Sequence, residues 1–384
     1  MPDVATMVVV VLVIITAVSF DFTNGFHDTA NAMATSIATG ALKPKTAVIA
    51  AGALNLVGAF LSVAVANTVS SGLINGEADG SVSITPAMIF AGLVGAIIWN
   101  LLTWLVGLPS SSSHAMFGGL IGAAIVGLGW GSVNYPNIIA KVLLPAFISP
   151  VIAGVAAFLA TRLAFFLARK MSERQRSEGF RHGQTVTALL VALSHGTNDA
   201  QKTMGVITLV LISAHLQPTG SNPQIWVILV CGLAIAAGTY SGGWRVIRTL
   251  GRGITDISTP QGFAAEASSA AAILTSSHLG FALSTTQVCS GSVMGAGLGR
   301  KGGTVRWSVA GRMALAWLVT LPAAAIMGGG AGALTKLPGV WGVALVVVIA
   351  LGVVWGILRL SRRNPVTADN VNDAAAAPAV KATA

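Results

Sequence analysis

Apolar residues fill this chain in long blocks separated by short polar stretches, at 4–39, 46–66, 86–108, 115–129, 138–168, 185–214, 225–242, 263–283, 288–298, 305–334 and 340–360. Roughly 20 helical residues cross a hydrocarbon core. Backbone groups there find no water to bond, so the blocks predict helices and not open strands. The blocks at 4–39 and 185–214 are longer than one span and carry a Gly and an Asp in their interiors, so each is expected to be a broken helix. From Asn364 onward the periodic pattern gives way to Ala, Pro, Val and Asp, which predicts a disordered tail over 362–384.

Composition sharpens this into an all-α polytopic membrane protein. Hydrophobic residues make up 54% of the 384 residues and charged residues only 9%, with a mean hydropathy of +0.79. The formal charge of +10 would suit nucleic acid, but the Lys and Arg sit in short loops and read as a topology signal. Lys43 and Lys45, the group from Arg169 to Arg181, Arg245, Arg248 and Arg252, Arg300, Lys301 and Arg306, and Arg359, Arg362 and Arg363 all fall on one side. This holds if the chain around 108–113 and 283–286 forms two hairpins, each entering and leaving on its own side. Opposite them stand Asp3, Glu77, Asp79 and Lys336. The expected site is therefore a plasma (inner) membrane, multi-pass, with the N-terminus outside and the C-terminus cytoplasmic. The first block lacks a basic leader and a small-residue cleavage site, so it reads as a retained helix. Cys231 and Cys289 lie in apolar blocks without partners at ligand spacing and read as packing.

Polar residues recur in order inside the grease. Asn24-Gly-Phe-His-Asp-Thr-Ala-Asn31 returns, altered, as His195-Gly-Thr-Asn-Asp-Ala-Gln-Lys202, and Pro109-Ser-Ser-Ser-Ser-His114 returns as Leu283-Ser-Thr-Thr-Gln287. Gly25 matches Gly196, Asp28 matches Asp199, His114 matches Gln287, Gly118 matches Gly291 and Gly122 matches Gly295. With the first half starting outside and the second inside, the chain divides into a first inverted repeat (1–168), a cytoplasmic basic loop (169–184), a second repeat (185–335), an extra transmembrane helix (336–361) and the tail (362–384). The two hairpins would meet near the bilayer midplane.

Each hydroxyl run leads into a helix. First-turn N–H groups inside a bilayer need a capping hydroxyl or an anion, and the positive helix end favours the anion. Ser111, Ser112, Ser113, Ser284, Thr285 and Thr286 are thus candidates to surround one tetrahedral oxyanion. Asp28 and Asp199 beside it would repel the anion until a cation binds or a carboxylate is protonated, which makes transport of the two obligatory. A carboxylate also accepts from protonated phosphate, a bond that sulfate cannot supply. Lys202 matches Asn31, and His27 matches Asn198. A standing ammonium where a metal ion would bind, and an imidazole that changes charge near neutral pH, favour protons over sodium. His27, Asp28 and Asp21 are the candidate carriers. Asn55, Asn100, His195 and His278 read as interhelical hydrogen-bonding residues, and Glu266 reads as lying too near the cytoplasmic face to matter. An intramembrane serine hydrolase built on Ser111–Ser113, His114 and Asp28 is disfavoured by Gln287 in the second copy.

These four motifs resemble the duplicated signature of the PiT inorganic phosphate transporters, from Asn24 to beyond Gly297. The resemblance implies an inverted-repeat membrane fold, secondary transport of inorganic phosphate, hydroxyl runs that contact phosphate, and coupling sites at Asp28, Asn31, Asn198 and Asp199. Departures at His27, Lys202 and Asn55 are similar to a bacterial proton-coupled branch that moves phosphate largely as a neutral complex with a divalent metal ion. Sodium coupling, or a sulfate permease of the same fold, stands as the alternative. The expected partners are phosphate, protons, a divalent metal ion as part of the substrate, and lipid; a homodimer is compatible, and no nucleic acid, cofactor, resident metal or enzymatic activity is expected.

Overall fold

The computed structural model describes residues 3–75 and 84–373, and its secondary structure there is helical apart from one bridge between Ile74 and Val133. The first half comprises α1 (Val4–Ala38), α2 (Pro44–Gly58), α3 (Ala64–Gly72), α4 (Pro86–Leu105), α5 (Ser112–Leu128) and α6 (Tyr135–Ile138), which passes through a π-turn into α7 (Leu144–Leu167). The second half repeats the order as α8 (Glu173–Ser213), α9 (Ile225–Ser241), α10 (Trp244–Arg248), α11 (Thr259–His278), α12 (Thr285–Gly299) and α13 (Trp307–Leu334). α14 (Trp341–Ser361) has no counterpart. Among the described residues five segments are long and apolar enough to span a membrane: α1, α4, Tyr135–Leu167, α13 and α14. The bent pair of α9 with Trp244–Gly253 makes a sixth if taken as one span.

The halves interlock by exchange. α1 packs on α9 as α8 packs on α2, α5 on α13 as α12 on α7, and α4 on α13 as α11 on α7. Each half therefore buries its helices mainly against the other. Small residues permit the contact: a β-carbon on Gly122 would collide with the Ala325 carbonyl, and one on Gly295 with the Gly154 carbonyl, so mirrored glycines bring backbones together at α5–α13 and α12–α7.

Three expectations change. α1 and α8 are not broken: they run 35 and 41 residues through their Asp and Gly. Gly25 and Gly196 serve close approach instead, since a β-carbon on either would strike the Ile235 or Asn55 carbonyl. The breaks lie one element later, between α2 and α3 and between α9 and α10. There the chain turns 61° at Gly242, whose φ of 71° favours glycine.

The basic stretch 169–184 is mostly helix, because Ser172 and Gln175 form a reciprocal cap that starts α8 at Glu173. Residues 362–373 of the tail are held against the helices. Arg245 Nη2 donates to the carbonyls of Ser361 (2.8 Å) and Asn364 (2.6 Å), Arg248 Nη2 donates to that of Asn370 (2.6 Å), and Val371 is buried. Residues 374–384, like Glu77 and Asp79, lie outside the described residues.

Gly295→Ala is expected to destabilise the folded protein by about 1–3 kcal/mol through overpacking. Gly311→Ala, whose β-carbon meets open space, should stay within about 0.5 kcal/mol. Thermal unfolding of the two variants in detergent checks the difference.

Candidate functional site

Both hairpins deliver a helix start to the centre. Ser111 and Ser284 occupy N-cap positions with nearly superposable backbones (φ −89°, ψ 106° and φ −89°, ψ 107°), and their hydroxyls accept from the amides of His114 (3.2 Å) and Gln287 (3.3 Å). Their side chains are thus engaged in capping. The next hydroxyls reach the acids of α1 and α8. Ser112 Oγ donates to Asp28 Oδ2 (2.7 Å), Thr286 Oγ1 to Asp28 Oδ1 (3.3 Å) and Thr285 Oγ1 to Asp199 Oδ2 (2.9 Å). The first half's acid thus receives a hydroxyl from each hairpin.

Lys202 closes the cluster. Its ammonium donates to Asp199 Oδ1, to Ser113 Oγ (2.6 Å) and to the Leu283 carbonyl (2.9 Å), which ties α8 to both hairpins. The cluster holds two carboxylates and this one ammonium, which pairs with Asp199. Two imidazoles complete the charge set: His27 Nδ1 lies 2.6 Å from Asp28 Oδ1, and His195 Nε2 lies 2.9 Å from Asp199 Oδ2 and 4.0 Å from Asp28 Oδ2. With both rings neutral the cluster carries one net negative charge, and protonation of both makes it one net positive. All five of these charged or titratable residues are buried.

The sequence-predicted residues divide by distance from this centre. Asn31 Nδ2 donates to Thr286 Oγ1 (3.0 Å) and its Oδ1 has no partner. Asn198 turns away, donating to Ser277 Oγ (2.9 Å), with its Oδ1 likewise free. Asp21 sits two helical turns from Asp28, near Thr203 and Asn24, and neither carboxylate oxygen has a hydrogen-bond partner. The His114 imidazole does not address the serine hydroxyls; it lines an apolar cavity of about 300 Å³ with Gln287, Phe147 and Trp317.

His195 was passed over in the sequence yet stands between the two acids, held by Asn55 Oδ1 (3.2 Å from Nδ1), which itself donates to Thr239 Oγ1 (2.7 Å). Its spacing of four from Asp199 placed both on one helix face. Together Asp28, His195 and Asp199 offer ligand atoms within 4.8 Å of one another, a donor set that fits a divalent cation.

The sequence model described as "Phosphate transporter family" matches residues 24–328, taking in both signature copies and both hydroxyl-bearing helix starts. The chain belongs to the phosphate transporter family. It is similar to the probable low-affinity inorganic phosphate transporter of Mycobacterium leprae (strain TN), with 58% identity over 319 residues covering 83% of this chain and 76% of that protein. It is also similar to the protein of the same description in Bacillus subtilis (strain 168), with 40% identity over 324 residues covering 84% and 96%. Among solved structures, the sodium-dependent phosphate transporter superposes with a TM-score of 0.77 at 23% identity, covering 86% of this chain and all of that one (100%), and so shares the fold.

As a family member, this multi-pass membrane protein is a phosphate transporter and not an enzyme. The transporter's buried ion pair gives a direct test. Lys202→Met leaves Asp199 uncompensated and should destabilise the protein by about 3–5 kcal/mol, while adding Asp199→Asn should restore most of that loss. Detergent-solubilised unfolding of the single and double variants measures it.

Proposed function

We propose that this phosphate transporter is a low-affinity importer of inorganic phosphate, driven by symport with protons, and that phosphate enters as its complex with a divalent metal ion. The observation that carries this reading is the convergence of two hydroxyl-bearing helix starts on one buried cluster of Asp28, Asp199, Lys202, His27 and His195.

Ser112, Ser113, Thr285 and Thr286, with the first-turn amides behind Ser111 and Ser284, are the proposed phosphate ligands. Their present hydrogen bonds to carboxylates and to lysine are ones that an anion's oxygens can replace. The metal ion of the substrate would lie against Asp28, His195 and Asp199, whose acids then face a cation instead of the anion's charge. Lys202 supplies a standing cation at the position matched by Asn31. That leaves the imidazoles and acids to carry the coupling proton, with Asp21 as the outer acceptor and Asn31 and Asn198 positioning the hydroxyls and turn around the cluster. The basic loop ends favour a plasma (inner) membrane protein with its C-terminus cytoplasmic.

Sodium coupling is the competing reading, favoured by the unpartnered carbonyl oxygens of Asn31 and Asn198, which suit a hard cation.

In proteoliposomes free of sodium, an imposed inward proton gradient is expected to drive labelled phosphate uptake, increased by magnesium, and Asp199→Asn should reduce it at least tenfold. Uptake that follows a sodium gradient and ignores pH would transfer the coupling role to sodium, and competition by excess sulfate would reassign the anion.

A further inference from the structure

A further buried carboxylate, apart from this cluster and from Asp21, breaks the symmetry of the molecule. Glu266 on α11 is buried and accepts hydrogen bonds from Thr35 Oγ1 of α1 (2.5 Å), Gln184 Nε2 of α8 (3.2 Å) and Thr187 Oγ1 of α8 (2.8 Å). Gln184 in turn accepts from Thr39 Oγ1 (2.8 Å), which lines a surface cleft with Arg176 and Arg300 at the basic-loop end.

Carrying the offset of the repeated motifs across the halves, Leu93 stands where Glu266 does, Val13 where Gln184 does and Val206 where Thr35 does, all three fully buried in one apolar cluster. Thr16, opposite Thr187, spends its hydroxyl on the Leu12 carbonyl of its own helix. A polar route thus exists on one side of the site, and grease fills the mirrored position on the other.

Between Glu266 and the centre lies a cavity of about 10 Å³ lined by Asn31, Thr35, Glu266, Ser269 and Cys289, about the least that holds one water. Asn31 reaches it from the hydroxyl cluster with its buried Oδ1 unpartnered. The titratable groups facing this space are Glu266 from α11 and Cys289 from α12. α1 and α8 present only Asn31, Thr35, Gln184 and Thr187, and among the described residues no Lys, Arg or His forms an ion pair with Glu266. A buried acid with no countercharge, joined to the site by a water-sized gap, is costly to keep unless it carries protons.

We infer that Glu266 is the release station for the coupling proton: its carboxylate takes the proton leaving the central cluster through the Asn31 cavity and gives it up to water at the Thr39 cleft. The proton leaves an N–H or O–H bond of the cluster, forms an O–H bond on Glu266 and passes to water, and the carboxylate returns to its starting form once per cycle. This rests on the proton-symport reading, and the test separates the two.

Full-length protein in proteoliposomes is assayed for phosphate accumulation under an imposed pH gradient, and for exchange of external labelled phosphate against internal phosphate with pH equal on both sides. E266Q is expected to lower gradient-driven accumulation at least tenfold while exchange stays within about twofold of wild type, because exchange requires no proton release. E266D, which keeps the acid, should retain accumulation. Accumulation by E266Q near the wild-type level overturns the assignment, as does equal loss of accumulation and exchange in protein that elutes as wild type. Should E266Q not fold, Thr187→Val is read instead: it strips a donor from the carboxylate and should move the pH of half-maximal accumulation upward, and an unmoved profile overturns the station. Wild-type vesicles indifferent to the pH gradient would refute proton symport itself, whatever the variants do.

Discussion

Burying two carboxylates at membrane depth is the constraint around which this molecule is built. Asp28 and Asp199 are both buried from solvent, so each must be matched by a cation or by donors aimed at its oxygens. One ammonium, two imidazoles and three hydroxyls meet that demand. They arrive from α1, α8, α5 and α12, so no single helix can hold the site. The exchange packing of the halves follows from this requirement, and so do the mirrored glycines that let backbones approach closely enough for short side chains to meet.

The same arrangement accounts for chemistry. Hydroxyls that now satisfy carboxylates are already oriented by helix caps, so an incoming anion finds donors in place and displaces contacts of similar strength. Because the acids lose those donors when the anion binds, a proton or a metal cation has to make good the deficit. Coupling is then a consequence of charge balance in a dry space.

Much of this was legible before any coordinates. The repeated signature, the mirrored hydroxyl runs and the direction of each helix start were readable because caps and duplications are local patterns. The continuity of α1 and α8 was not. A Gly beside an Asp looks like a break when read alone, whereas Gly25 is dictated by a carbonyl on α9 more than 200 residues away. His195 was within reach, since its place four residues before Asp199 set it on the same face, but a lone His in an apolar helix gives no sign of what it faces. Glu266 read as too near the cytoplasmic face to matter, because its donors come from two helices distant in sequence. Arg245 and Arg248 read as topology markers, and nothing local revealed that they also hold the tail.

Interlocking of the halves bears on how the chain is made. α5 finds its main partner in α13, which begins about 180 residues later. At a synthesis rate of about 5–20 residues per second the first hairpin waits roughly 10–40 s for that surface to exist. Within that interval Asp28 lacks His195 until α8 is made and Thr286 until α12 follows, so the nascent segment needs shelter from lipid within the insertion machinery, or a shallow resting place at the headgroup boundary, until its twin emerges from the ribosome.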